Sequence, residues 1–283
     1  MARAVPEPLL WKHLTGEIPL DRTRVMGVLN VTPDSFSDGG RFLDPDVAIL
    51  RALEMAEEEA DLIDVGGEST RPGAEPVPPE EEWKRIGPVI EGIGRKLDVP
   101  ISVDTRRYEI AQKGLRAGAS IVNDVTGLGD PRMVEVIVRS GAGAVVMHML
   151  GDPRSMQAHP TYADVVEEVR AFLDARIRAA VASRIPREAV AVDPGIGFGK
   201  TAVHNLDLLR RLDRIGSLGQ PVVVGVSRKS FLAKLGAGDA VDERLSGSLA
   251  AATLAVAHGA HVIRAHDVLE TVRAMRVADA LGK

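Results

Sequence analysis

Eight short runs of apolar, largely β-branched residues each end on side chains that can bind or react. The runs cover 25–32, 62–65, 101–104, 121–125, 144–149, 190–193, 222–227 and 261–265. At their C-terminal ends stand Asn30, Asp64, Asp104, Asn123 with Asp124, His148, Asp193, Ser227-Arg228-Lys229, and Arg264 with His266. A polar group emerging from an apolar run must be paired or solvated, because burying it unpaired costs a few kcal/mol. Any single member is accounted for as a satisfied strand-end residue. Eight in a row point to one shared site.

The set has a chemical character. Asp104, Asn123 and Asp193 supply acceptors and donors suited to a flat, nitrogen-rich heterocycle with an amino group and a ring N–H, as a guanine or pterin edge has. Lys229 can donate to the carbonyl of such a ring. Arg71, Arg264 and His266 form an opposing cluster, cationic or able to become so, that suits phosphate, and late barrel strands commonly supply phosphate sites. Two loops rich in Gly, Pro and Ser, at 31–40 and 66–74, follow the first two runs. Long polar loops at a catalytic mouth act as lids, with ordinary surface loops as the alternative. Phe36, one of five phenylalanines, favours a lid.

Other chemistries are excluded or weak. The chain has no cysteine, which removes disulfides, thiolate nucleophiles and cysteine-ligated metals. The stretch DPGIGFGKT at 193–201 ends like a phosphate loop, but Pro194 stands where that motif needs its first glycine. Its glycines instead let backbone pass close to a flat ring. His13, His159, His204, His258 and His261 are scattered and include no HExxH pair. Hard oxygen donors such as Asn30 favour Mg2+ over a softer metal. No Ser-His-Asp arrangement is evident.

The elements that must position these groups alternate. Helical stretches are predicted at 46–59, 80–97, 108–117, 133–140, 163–183, 205–214, 243–258 and 268–281, between and after the apolar runs. Asp44-Pro45 and Asp130-Pro131 suit helix starts, and Gly118 and Gly259 suit helix ends. Eight strand–helix units without a linker predict an α/β fold, a (β/α)8 TIM barrel forming a single domain over 1–283, with 1–24 as an N-terminal extension. A doubly wound open sheet is the alternative. Such a barrel carries its site at the C-terminal strand ends.

The bulk numbers agree. The length of 283 residues fits one barrel, and 45% hydrophobic with 27% charged residues supplies a large core. A net charge of −5 argues against bulk affinity for nucleic acid or acidic membrane. No apolar leader and no 18-residue apolar run is present, so a cytoplasmic protein is expected.

VMGVLNVTPDSFSDGG, IDVGGESTRPGA, SVDT, IVNDVTG, MHMLGDPRSMQ, DPGIGFGKT, GVSRKSF and RAHDV run in order from Val25 to Val268. Together they resemble the successive strand-end motifs of the dihydropteroate synthase family, whose fold is a pterin-binding (β/α)8 barrel. The first two and GVSRKSF are highly specific. Leu150 departs from the polar residue the family pattern places after MHM. The resemblance implies condensation of 6-hydroxymethyl-7,8-dihydropterin diphosphate with p-aminobenzoate, giving 7,8-dihydropteroate and pyrophosphate in folate biosynthesis.

By that resemblance Asp104, Asn123, Asp193 and Lys229 bind the pterin, with Met147 beside them. Thr70, Arg264 and His266 hold the diphosphate, and Asn30 ligates Mg2+. Phe36, Arg71, Pro72, Phe198 and Ser227 shape the p-aminobenzoate pocket. Pyrophosphate leaves first, and Asp34 on the closed lid stabilises the resulting cation, so Asp34, Arg71, Lys229, Arg264 and His266 are the expected catalytic set. A homodimer through the helix at 243–258 is expected, its small face carrying Ser246, Ala250 and Ala257. The rival readings are a pterin-binding methyltransferase module serving a corrinoid protein, a Schiff-base aldolase using Lys229, and a silent scaffold.

Overall fold

The computed structural model describes residues 9–32, 44–69, 75–152 and 155–282. Among them the chain opens with an antiparallel hairpin, β1 (Leu10–His13) and β2 (Gly16–Pro19). Eight parallel strands follow: β3 (Arg24–Asn30), β4 (Leu62–Gly66), β5 (Ile101–Asp104), β6 (Ile121–Asp124), β7 (Gly143–Met147), β8 (Val190–Asp193), β9 (Val223–Gly225) and β10 (Val262–Ala265). Their order is β8-β7-β6-β5-β4-β3-β10-β9. A parallel bridge between Val192 and Val222 joins the two ends, with Val192 N–H donating to the Pro221 carbonyl at 2.8 Å. The expected (β/α)8 barrel is what forms.

Among the described residues ten α-helices lie on the outside: α1 (Pro45–Glu57), α2 (Pro79–Gly94), α3 (Tyr108–Ala117), α4 (Pro131–Ser140), α5 (Val165–Ala182), α6 (Ala202–Arg210), α7 (Leu212–Gly216), α8 (Ser230–Ala233), α9 (Leu245–Ala257) and α10 (Val268–Gly282). The two Asp-Pro starts act as caps: Asp44 accepts from Asp46 N–H and Asp130 from Arg132 N–H, both at 2.9 Å. The stretch predicted as one helix at 205–214 is two, α6 and α7, broken at Arg211 with φ −116° and ψ 31°. Its apolar spacing continues across the break, so periodicity alone did not show it.

Alternation along the strands makes two layers. Outward residues such as Val25, Leu29, Ile63, Val65 and Val103 pack with the helices in the main core. Inward residues near the N-terminal strand ends, Met26, Leu62, Ile121, Val145, Ala191, Val223 and Val262, form a separate apolar cluster with Trp11 and Ile18 of the hairpin. Trp11 is wholly buried, and its indole N–H donates to the Ala189 carbonyl at 3.3 Å. The extension expected at 1–24 therefore contains a hairpin that stoppers the barrel floor. Burying an indole with its N–H paired is a large gain in apolar contact.

Candidate active site

The strand register carries the inward positions upward from apolar to polar. On β4, Leu62 lies in the floor and Asp64 above it. On β6 the pair is Ile121 and Asn123, on β8 Ala191 and Asp193, and on β10 Val262 and Arg264. Above the floor a slot opens, lined by Asp104, Asn123, Val125, Met147, Asp193, Ile196, Phe198, Gly225, Lys229 and Arg264. The structure thus brings together seven expected residues: Asp104, Asn123, Met147, Asp193, Phe198, Lys229 and Arg264. Its base is polar and its walls are apolar, the form a slot for a flat heterocycle takes.

The charges are interlocked. Arg264 donates from Nε to Asp64 Oδ2 at 2.6 Å and from Nη2 to Asp104 Oδ2 at 2.8 Å. Asn123 Nδ2 donates to the same Asp64 oxygen at 3.1 Å. Asp193 Oδ1 accepts from Gly195 N–H at 2.6 Å. Burial first, then the nearby Asp64 carboxylate, pushes Asp104 up to about 7, while Arg264 opposes the rise. Burial also raises Asp193, with Gly195 N–H, Lys229 and Arg264 resisting. Burial brings Lys229 down to about 8 against the pull of Asp193. The Lys229 ammonium lies over the Phe198 ring, 4.1 Å from its centroid.

Arg264 was expected on the phosphate side with His266. The structure places it in the slot instead, two of its donors engaged by carboxylates. His266 lies at the rim, where its Nδ1 is 3.0 Å from Ser227 Oγ and its Nε2 is 3.5 Å from Asn30 Nδ2. Burial, then Arg264 and Arg228, depresses its pKa to about 3. Burial and these neighbouring cations disfavour its charged form, so at the rim it serves as a hydrogen-bonding group, one of the two states the sequence left open for it. Asn30, Ser227 and His266 are thus one rim cluster. Asp34, Phe36, Thr70, Arg71 and Pro72 lie outside the described residues, as does most of both expected lids.

Three members of the strand-end set do other work. Asp124 accepts from Thr126 N–H at 2.8 Å, Thr126 Oγ at 2.7 Å and Leu128 N–H at 2.9 Å, shaping the turn after β6. His148 is buried beside Lys200, whose Nζ is 2.9 Å from His148 Nδ1 and 3.0 Å from the Phe198 carbonyl. Arg228 makes a two-pronged ion pair with Asp267 and has φ +59°, the left-handed region. Its N–H is held by Ser248 of α9 at 2.9 Å, which aims the following Lys229 inward.

In the loop from Asp193 to Thr201 the glycines let backbone pack against the chain's own backbone after β7. Gly195 has φ +67°, and a Cβ there would lie 1.9 Å from the His148 carbonyl oxygen. Sequence reasoning counted Asp64 among the strand-end groups without giving it a separate role, and did not put Lys200 in the site's framework; neither borders the slot.

Among the described residues no group of three or more His, Asp or Glu side chains gathers as a metal site, and no helix is long and apolar enough to cross a membrane. Fold and slot together define a (β/α)8 barrel enzyme with a partly buried site for a small planar molecule. The model of the pterin binding enzyme family matches residues 26–266. Dihydropteroate synthase of Escherichia coli strain K12 is 46% identical over 263 residues, 93% of this chain and 93% of that protein. Dihydropteroate synthase of Xanthomonas albilineans, solved with 4-aminobenzoic acid, superposes with a TM-score of 0.91 at 43% identity, over 97% of this chain and 98% of the other. The Xanthomonas albilineans enzyme in complex with 7,8-dihydropteroate gives 0.86 at 42%, over 94% and 95%. The chain belongs to the pterin-binding enzymes and, within them, to the dihydropteroate synthases.

Proposed function

We propose that this chain is a transferase that joins 6-hydroxymethyl-7,8-dihydropterin diphosphate to p-aminobenzoate, giving 7,8-dihydropteroate and pyrophosphate in folate biosynthesis. The observation that carries the reading is the slot. Asp104, Asn123 and Asp193 offer acceptors, and Lys229 and Arg264 offer donors, between apolar walls at Met147, Ile196 and Phe198. A pterin edge presents the complementary groups. The related synthase solved with 7,8-dihydropteroate supports the product assignment, and relatives named as synthases disfavour the corrinoid methyltransferase.

The reaction breaks the carbon–oxygen bond to the diphosphate, and pyrophosphate leaves with the electron pair. The p-aminobenzoate nitrogen then bonds to the exocyclic carbon and loses a proton. The chain's task is to orient the pterin, exclude water and stabilise separating charge. Lys229, over the Phe198 ring, stands at the boundary between the pterin slot and the amine side. Thr70 and His266 hold the diphosphate, Arg264 faces it from the slot, and Asp34 attends the cation. Phe36, Arg71, Pro72, Phe198 and Ser227 receive p-aminobenzoate.

Asn30 suits Mg2+ in company with the diphosphate. Its amide nitrogen faces His266, which leaves the oxygen as the metal-facing end, and Mg2+ takes few protein ligands when phosphates supply the rest. Bound there, the ion would neutralise charge on the leaving group. The enzyme acts in the cytoplasm as a homodimer. Exposed Leu254 of α9 with Val277 and Leu281 of α10 supports a paired surface.

The test is pyrophosphate and dihydropteroate release measured together, with each substrate omitted in turn. Equimolar products requiring both substrates are expected. Pyrophosphate release that ignores p-aminobenzoate would contradict the assignment. The same assay across Mg2+ concentrations should show a higher Mg2+ requirement in Asn30→Ala.

A further inference from the structure

Asp64 lies mid-strand on β4, wholly buried beneath the slot it does not line. One oxygen, Oδ2, accepts from both Asn123 Nδ2 at 3.1 Å and Arg264 Nε at 2.6 Å. The other, Oδ1, is buried with no hydrogen-bond partner among the described residues. A buried carboxylate left half satisfied is a poor stabilising device, and an apolar residue of similar volume serves packing better. Val28, its register partner on β3, is such a residue at the same level. What Asp64 does supply is order in two residues that meet the ligand.

A carboxamide presents either of two ends of nearly equal shape, and its neighbours choose which faces where. An ionised carboxylate only accepts, so Asp64 can take only the NH2 end of Asn123. The carbonyl end is then the one left for the slot. Arg264 is fixed in the same way, Nε on Asp64 and Nη2 on Asp104, so its planar fork spans β10, β4 and β5 in one orientation.

We propose that Asp64 is a positioning residue that sets the donor and acceptor pattern of the slot. It holds Asn123 as an acceptor toward the ligand and Arg264 in the plane that meets Asp104. The slot thereby selects a flat heterocycle presenting N–H groups to Asn123 and disfavours one presenting an acceptor there. This rests on the reading of the slot as the pterin subsite. The proximity of Asp64 to Asp104, which contributes to the high pKa of Asp104, agrees with a shared guanidinium between two carboxylates.

The experiment uses four proteins: the wild type, Asp64→Ser, the single Asn123→Asp, and the double exchange Asp64→Asn with Asn123→Asp. The exchange preserves an amide–carboxylate pair, keeps an acceptor for Arg264 Nε, and leaves a carboxylate oxygen toward the ligand. Affinity for 6-hydroxymethyl-7,8-dihydropterin diphosphate is read by calorimetry. Hydrogen exchange of side-chain amides is read by NMR, where three asparagines and three glutamines give few enough signals that the Asn123 pair is assignable by its loss in Asn123→Asp. Asp64→Ser should weaken binding at least about 30-fold, as loss of orientation by a charged acceptor implies, and should speed Asn123 amide exchange. The double exchange should recover at least about tenfold of that loss. Binding by Asp64→Ser within about threefold of the wild type would overturn the proposal. So would lost binding with the Asn123 amide still protected. If Asp64→Ser does not fold, absence of recovery in a folded double exchange decides against it. A wild type that ignores the pterin refutes the functional reading instead, and the exchange measurement still decides whether Asp64 holds Asn123.

Discussion

The barrel's two ends are built from the same strands by the same alternation, yet they are opposites. At the floor, Met26, Leu62, Ile121, Val145, Ala191, Val223 and Val262 close on Trp11 as an apolar plug. A few residues further along those strands, the inward positions include Asp64, Asn123, Asp193 and Arg264. The floor gains stability from burial without satisfying charge. The upper layer buries charges that satisfy one another imperfectly, as the orphaned Asp64 oxygen and the displaced pKa values of Asp104 and Lys229 show. Stability and chemistry are therefore separable along the strand axis, and substitutions should sort by layer.

The largest expected effect is at the mouth. Asp193→Ala removes a carboxylate able to make two charge-assisted bonds to a ligand, each worth about 1.5–3 kcal/mol. Affinity for the dihydropterin diphosphate should fall at least about a hundredfold, with cooperative unfolding retained. Calorimetry showing near-normal affinity would break the division at its centre.

Next is the floor. Trp11→Ala empties the centre of the plug and should cost about 3–5 kcal/mol of stability, as aromatic-to-alanine changes in cores do. Denaturant titration measures that loss. KM and kcat of the folded fraction should stay near wild type, and a selective change in kcat would show that the floor reaches the chemistry.

The smallest effect has the opposite sign. Lys229 titrates at about 8 when folded, below the ordinary 10.5. Its contribution to stability is thus fully present above 10.5 and lost as pH falls through about 8. Asp104, raised from 3.8 to about 7, contributes fully below 3.8 and loses that contribution as pH rises through about 7. Between about 7 and 8 both groups work against the fold. Lys229→Met should therefore raise stability near neutral pH by about 1–2 kcal/mol while abolishing catalysis. The gain should shrink as pH rises towards the ordinary lysine value. Thermal melts across that range are the check, and a destabilised variant would mean that Lys229 supports the fold through its ammonium over the Phe198 ring and its stem beside Gly197.

Much of this was legible in the chain order. Eight apolar runs ending in polar residues announced a barrel with a chemical mouth, and Asp44-Pro45 and Asp130-Pro131 marked helix starts that do form. The hairpin was not legible: Trp11 and Ile18 belong to short, mostly polar segments, and only contact with the floor makes them core. The helix break at Arg211 was hidden by continuing apolar spacing.

Residue types and positions are properties of the sequence, so the sequence alone determined which groups stand at each strand end. Which of them share a hydrogen bond is not such a property. Asp64 and Arg264 are 200 positions apart, and their pairing exists only because the last strand, β10, pairs with β3 and so comes beside β4. The assembled barrel decided that Arg264 faces carboxylates, that His266 is buried beside cations, and that His148 pairs with Lys200 instead of lining the slot, whereas the bonds of Asp124 to Thr126 and Leu128 are local. The physical reason is that charge and hydrogen bonding act over a few ångströms of space, and only tertiary structure sets those distances.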